Sequence, residues 1–281
     1  MVLVRVINYL ARKDKAFRVI DTHGGIGEYD LAGIEAGKTG EWLQGIGRLL
    51  DGDTADHIAV RHDPTVVRYL EIIRAFNPVH PASLDHASDL ACYPGSPALA
   101  RHLLRPQDTL LVNELHPEDA TLLKAHFARD RQTTVLNLDG WVVVKSALPP
   151  KERRGVILID PPFELAGEFD RMAKALTEGV RRFATGVFVL WYPIKDAAAV
   201  ARFKRHVAGL RLGDTIAVEL RTSATGGSSR SDAGGLSGTG LVIHNPPFGL
   251  AEWLSGLMPA LCRILARDAG ASWSVEALGA D

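Results

Sequence analysis

Gly155-Val156-Ile157-Leu158-Ile159-Asp160-Pro161-Pro162-Phe163 is an apolar run closed by a carboxylate and two prolines. An apolar stretch without alternation suits a strand covered on both faces. Proline has no N–H to give a ladder, so the strand must stop at Asp160. Working outward, further β-rich runs lie upstream at 17–21 (FRVID), 109–114 (TLLVNE) and 133–137. Others lie downstream at 185–192 (TGVFVLWY), 215–221 (TIAVELR) and 239–245 (TGLVIHN). Helical patterns separate most of them. Residues 116–129 open with Pro117-Glu118-Asp119, acids that favour a helix N-terminus. Residues 169–183 carry Met172, Leu176 and Val180 at helical spacing and end on Arg181-Arg182. Residues 251–265 are a further amphipathic helix. Alternation of this kind predicts an α/β fold with a doubly wound sheet.

Two intervals break the alternation. Nearly ninety residues separate the first strand from the second, far more than a crossover needs. Within them Asp63-Pro64 predicts an N-cap and a first helical residue, opening a helix that runs to Phe76. Residues 40–92 are therefore expected to be a helical insert in one domain spanning 1–281. Residues 222–240 (TSATGGSSRSDAGGLSGTG) predict a Gly/Ser-rich mobile loop between strands.

Composition narrows the function classes. With 281 residues, 46% apolar and 23% charged, the chain can bury a core and is not intrinsically disordered. No apolar run reaches the roughly 18–20 residues of a membrane span. The start is broken by Arg5 and Asn8, so it does not read as a signal peptide. Two cysteines, Cys92 and Cys262, make no disulfide framework and no Cys-x-x-Cys zinc pair, which favours the cytoplasm. The histidines, among them His57, His62, His80 and His86, lack ligand spacing, so no metal is expected. A net charge of −1 argues mildly against a nucleic-acid partner.

The motifs push the other way. Val19-Ile20-Asp21-Thr22-His23-Gly24-Gly25-Ile26-Gly27 runs from a strand into a glycine turn. Asp30 stands where the nicotinamide fingerprint wants its third glycine, and an acid beside the turn suits a pyrophosphate poorly. A cofactor with ammonium, sulfonium and ribose hydroxyls, S-adenosylmethionine, fits better. Glu114 ends the second strand, where a carboxylate can accept ribose hydroxyls. Asp139-Gly140 follows the third strand and suits an adenine amino group. Asp160, with the Pro161 carbonyl, offers two acceptors to one exocyclic amine, and Phe163 offers a ring for an unstacked base. The acids alone would more often be turn or cap residues; their succession at strand ends favours a site. A second Asn-Pro-Pro-Phe at 245–248 follows the last strand, remote from the glycine turn, and is read as structural.

These motifs resemble those of the bacterial 23S rRNA adenine-N6-methyltransferases of the ribosomal large subunit methyltransferase J family. The resemblance spans residues 2 to about 275. It is carried by IDTHGGIGEYDL (20–31), KTGEWLQGI (38–46), YPGSPALARHLLRPQD (93–108), NELHP (113–117), Asp139-Gly140, RRGVILIDPPFE (153–164), RRFATG (181–186), LWYP (190–193) and NPPF. It implies a Rossmann-like methyltransferase sheet with an inserted helical subdomain and methylation of one adenine of 23S rRNA, naked or partly assembled, by a cytoplasmic monomer. It implies cofactor contacts at His23, Ser96, Glu114, Asp139, Gly140 and Asp160, to which the glycine turn adds Gly25, and catalysis at Asp160 with Pro161 and Phe163. Ser96 also reads as an N-cap before Pro97.

The family carries Tyr-Arg-His and His-Ala-Gly-Asn elements ahead of its first helix, and this chain opens inside that helix. A cofactor- or RNA-binding form with impaired catalysis is therefore the first rival. Amino methylation of DNA or of protein glutamine is the second. Lys151, Arg153, Arg154, Arg181, Arg182, Arg221 and Arg230 are the basic groups available to RNA.

Overall fold

The computed structural model describes residues 1–31, 33, 40–78, 86–224 and 236–279. Helix α1 (Val2–Ala11) leads into strand β1 (Arg18–Asp21), and the ribbon strands β2 (Glu28–Asp30) and β3 (Cys92–Pro94) bracket a helical excursion. That excursion holds a π turn (Leu43–Gly47) running into Arg48–Leu50, then α2 (Ala55–His62) and α3 (Pro64–Ala75). After β3 come α4 (Ser96–Leu103), β4 (Thr109–Asn113), α5 (Pro117–His126), β5 (Thr133–Leu136), α6 (Gly140–Ser146) and β6 (Gly155–Ile159). The chain continues through α7 (Glu168–Arg182), β7 (Val187–Pro193), α8 (Ala197–Gly209), β8 (Thr215–Arg221), β9 (Gly238–His244), α9 (Leu250–Leu265) and β10 (Ser272–Ala277).

Eight strands form one sheet in the order β10-β8-β9-β7-β6-β1-β4-β5, with β2 and β3 as a separate pair. The five strands β5, β4, β1, β6 and β7 are parallel; β9 joins β7 antiparallel, and β8 and β10 continue antiparallel. The chain winds outward from β1 through β4 to β5, then returns to β6 and winds the other way. The switch point therefore lies between β1 and β6, where open α/β sheets bind ligands at the strand carboxyl ends.

β6 is buried along its whole length. Val156 and Leu158 feed one apolar layer, while Ile157 and Ile159 feed the other, as a period of two requires. α7 covers the second layer with Met172, Ala173 and Leu176. Its Gly179 lets the helix settle on Phe188, whose ring occupies the space a Cβ would need. Acids in its first turn and Arg181-Arg182 in its last complement the helix dipole.

In α3 the Asp63 carboxylate accepts from the N–H groups of Thr65 and Val66 at 2.8 and 3.1 Å, with Pro64 in the first turn. The excursion is packed onto the body. Trp253 of α9 donates to Asp63 at 2.8 Å, and Val60, Ile72 and Ile73 share one buried layer with Val4, Leu254 and Met258.

Several expectations change. β2 and β3 fill part of an interval that showed no strand, because three-residue half-exposed strands leave no apolar run. The first strand begins at Arg18, with Phe17 as a buried anchor. Gly238 already belongs to β9, which shortens the expected loop at 222–240. Residues 225–235, including Arg230, and residues 79–85, including His80, lie outside the described residues. Among the described residues no helix is long and apolar enough to cross a membrane.

Candidate active site

The sequence-predicted acids meet at one edge of the sheet. Asp21 closes β1, level with Leu158 of β6 and Val112 of β4, so Asp21 and Asp160 flank the switch point. Asp21 is buried, and its carboxylate accepts from the Ser96 hydroxyl at 2.6 Å and the His23 N–H at 3.3 Å. Gly95, not Ser96, caps α4. Ser96 is the first helical residue, and its hydroxyl turns instead to the β1 carboxylate. That contact joins the ends of β1 and β3, an adjacency 75 residues apart in the chain.

Glu114 ties the glycine turn in place. One of its oxygens accepts from Gly25 N at 2.9 Å, the other from His116 N at 2.8 Å. Two partners do not exhaust the roughly four lone-pair positions of a carboxylate, so ribose hydroxyls can still be accepted. Gly25 has φ +59°, and the Tyr29 hydroxyl fills the place of its Cβ. Asp139 caps α6 by accepting from Trp141 N at 2.8 Å, so the capping role is real and compatible with a second partner. Gly140 is needed for a close approach: a Cβ there would lie 2.7 Å from His23 Nε2 and 2.8 Å from the Thr22 carbonyl. His23 packs edge-on against Trp141 at 5.4 Å, and burial holds its pKa below the ordinary histidine value against the pull of Glu114, Glu168 and Asp139.

Asn113, within the NELHP motif, has a structural role that its sequence position does not reveal. It is buried, donates to the carbonyls of Thr22 and Leu138 at 3.0 and 2.9 Å, and accepts from Leu138 N at 3.0 Å. One amide thus fastens the loops after β1 and β5 to the end of β4. Its neighbours in sequence give no hint of those partners, which arrive from 91 and 25 residues away.

In the loop after β6 Phe163 has φ +55°, a region bulky residues rarely occupy and one associated with functional strain. Its ring meets Phe169 edge-on at 5.1 Å and Trp191 at 6.2 Å. Trp191, of the LWYP motif near the end of β7, stands beside Phe163 through this ring contact.

Burial, reinforced by the Asp21 charge, raises the Asp160 pKa to about 7; burial, opposed by the Ser96 and His23 hydrogen bonds, raises Asp21 to about 6. In the unfolded chain both titrate near 3.9. The folded state therefore binds more protons between about pH 4 and pH 7, and stability falls as pH rises through that window. Asp160→Asn, which mimics the neutral acid, is expected to gain about 1–2 kcal/mol over the wild type at pH 8 and little at pH 4. Thermal unfolding at the two pH values checks this; an equal shift at both would contradict it.

The second Pro-Pro-Phe motif lies at the opposite edge. β9 is antiparallel to β7, with His244 beside Phe188, so Asn245 lies where β7 begins. Its amide donates to the carbonyls of Ala184 and Gly186 at 2.7 and 3.0 Å, and Phe248 is 91% exposed. Phe248→Ala is expected to leave kcat/KM within about twofold of wild type in a methyl-transfer assay.

The basic candidates divide in the same way. Lys151, Arg153 and Arg154 precede β6, and Arg181 and Arg182 end α7, all at the edge away from Asp160. Arg154 donates to the Leu10 carbonyl at 2.8 Å, and Arg181 and Arg182 pair with Glu178 at 2.8 and 2.6 Å. Arg221, which pairs with Glu219 at 3.2 Å, is at the site's edge but beyond β7 and β9. Among the described residues no group of three or more His, Cys, Asp or Glu side chains is placed to hold a metal ion.

Comparison with known proteins adds the family. The chain is 37% identical to ribosomal RNA large subunit methyltransferase J of Haemophilus influenzae over 277 residues, covering 98% of this chain and 92% of that protein. It is 35% identical to the Escherichia coli protein of the same name over 256 residues, covering 91% and 84%. A crystal structure of a Legionella pneumophila protein superposes with a TM-score of 0.81 at 28% identity, covering 98% of this chain and 94% of that one. The model of the family described as ribosomal RNA large subunit methyltransferase D, RlmJ, matches residues 14–278, which include every acid of the site described above, and the chain belongs to that family.

Proposed function

We propose that this protein transfers a methyl group from S-adenosylmethionine to the exocyclic amine of one adenine in 23S rRNA. The observation that carries this reading is the gathering of Asp21, Glu114, Asp139 and Asp160 at the carboxyl edge, around glycines whose Cβ positions are already filled. The donor set suits a cation bearing ribose hydroxyls and an adenine ring. His23, Gly25, Ser96, Glu114, Asp139 and Gly140 would hold it, with Ser96 acting through Asp21. When bound, the cofactor supplies an electrophilic methyl group on its sulfonium sulfur.

The chain's own groups do the rest. Adenine's amine is a weak nucleophile because its lone pair is delocalised into the ring. The Asp160 carboxylate and the Pro161 carbonyl accept hydrogen bonds from its two hydrogens, favour a pyramidal nitrogen and stabilise the positive charge that grows there, and the methylated nitrogen sheds one proton to Asp160 or to solvent as the neutral product forms. Phe163 and Trp191 give the extruded base an aromatic surface and keep water from the amine. Asp160 must be ionised to accept, so activity rises as pH climbs through about 7.

We read residues 1–281 as one methyltransferase domain with a helical insert at 40–92. It would act as a monomer in the cytoplasm on naked or partly assembled RNA. Incubating the protein with labelled S-adenosylmethionine and protein-free 23S rRNA, DNA or denatured protein, followed by mass spectrometry of the digests, tests the reading. N6-methyladenosine in the RNA digest alone is expected; label confined to DNA or to glutamine would overturn it.

A further inference from the structure

Between the first turn of α7 and the Ala199–His206 stretch of α8, on the β7 side of the loop after β6, lies a cavity of about 440 Å³. Phe169 and Phe203 line it, with Arg202, His206, Glu168 and Asp170 also contributing to its walls. We infer that this cavity receives the nucleotide next to the target adenine, an inference that rests on the RNA reading above.

Three observations carry it. The first is continuity with the catalytic loop. Phe163 meets Phe169 at 5.1 Å, and Phe169 meets the buried Phe203 at 4.8 Å with their planes tilted by 33°, so Phe169, half-buried, is packed between the loop after β6 and the cavity wall and is the ring a base could reach. A base that leaves its stack deprives its neighbour of a stacking partner, and protein rings can replace it.

The second is size: the volume falls within the roughly 300–1,000 Å³ typical of sites for small organic groups. The third is charge. Arg202 and His206 lie on the exposed side of α8. The buried Glu168 carboxylate is neutralised by Arg171, which approaches its two oxygens at 2.7 and 3.2 Å. Asp170 remains as an acid on the rim, so Arg202 is the group suited to grip a phosphate. Both helices begin where their preceding parallel strands end, which puts the cavity on the same edge as Asp160.

Steady-state methylation of a synthetic RNA hairpin spanning the mapped adenine tests the inference. Phe169→Ala and Arg202→Glu should each raise KM for RNA about tenfold, equal to about 1.4 kcal/mol. S-adenosylhomocysteine binding should stay within about twofold of wild type, because the cofactor acids are on the other side of the switch point. Arg202→Glu should also flatten the salt dependence of KM.

A hairpin lacking the neighbouring base should cost the wild type as much as Phe169→Ala does and cost that variant little more. Wild-type KM in both variants, or fully additive losses for base and ring, would overturn the inference. If Phe169→Ala loses S-adenosylhomocysteine binding through misfolding, Arg202→Glu decides alone. If the wild type itself transfers nothing to RNA, the RNA reading fails and this inference with it. An active wild type with unaffected variants sinks the cavity alone.

Discussion

Asp160→Ala lowers kcat for methyl transfer by at least about a hundredfold to a thousandfold, the scale seen when a transition-state partner is removed. The side chain that holds the amine's hydrogen is gone, and the nitrogen stays flat and conjugated. Dissociation of S-adenosylhomocysteine should change little, because Glu114 and Asp139, the acceptors proposed for ribose and adenine, stand at the ends of other strands. Calorimetric titration beside single-turnover kinetics separates the two. Unchanged turnover would remove Asp160 from the mechanism, and a parallel collapse of cofactor binding would make it a binding residue instead.

Asn113→Ala should be the more damaging change to the folded state. It deletes three hydrogen bonds at once, the one to Thr22 buried and the two to Leu138 partly buried, and strands the Thr22 and Leu138 carbonyls and the Leu138 N–H. Buried groups left unpaired cost about 1–3 kcal/mol each, and partial rehydration limits the sum to about 2–4 kcal/mol. The loops carrying His23 and Asp139 then lose their common fastening, so affinity for S-adenosylhomocysteine should fall at least about tenfold. Denaturant unfolding and titration on the same preparation test both parts. A variant with wild-type stability would mean that water replaces the amide at no cost.

Much of the sheet was legible along the chain. Residues 155–160 could only be a strand ended by prolines, because an unbroken apolar run needs cover on both faces and proline cannot extend a ladder. Helix α3 was equally legible, since Asp63-Pro64 is a local cap whose partners are Thr65 and Val66. The site acids could be found for the same reason, each being tied to the end of a recognisable strand. Helices α2, α6 and α8 and strand β10 carry no comparable local signature. Ser272–Ala277 has its partners in β8, some fifty residues earlier, and most of its side chains are exposed, so no apolar pattern marks it.

Ser96 shows the limit most clearly. From its neighbours it read as a helix cap, yet its hydroxyl serves Asp21, which only the pairing of β2 with β3 brings near. The bulk charge of −1 was misleading in the same way. It could not show that Asp21, Glu114, Asp139 and Asp160 gather at the carboxyl ends of the strands.

Residue order alone established an α/β chain, the strand that ends at Asp160 and the acids that follow the strands, because strand covering, proline chemistry and capping act over a few residues. Folding chose between the two Pro-Pro-Phe loops. The motifs are alike locally, but β9 enters the sheet antiparallel, which carries Asn245 to the edge where β7 starts and leaves Asp160 at the edge where β1, β4 and β5 end. Strand direction is a property of the assembled sheet, and no short stretch of sequence contains it.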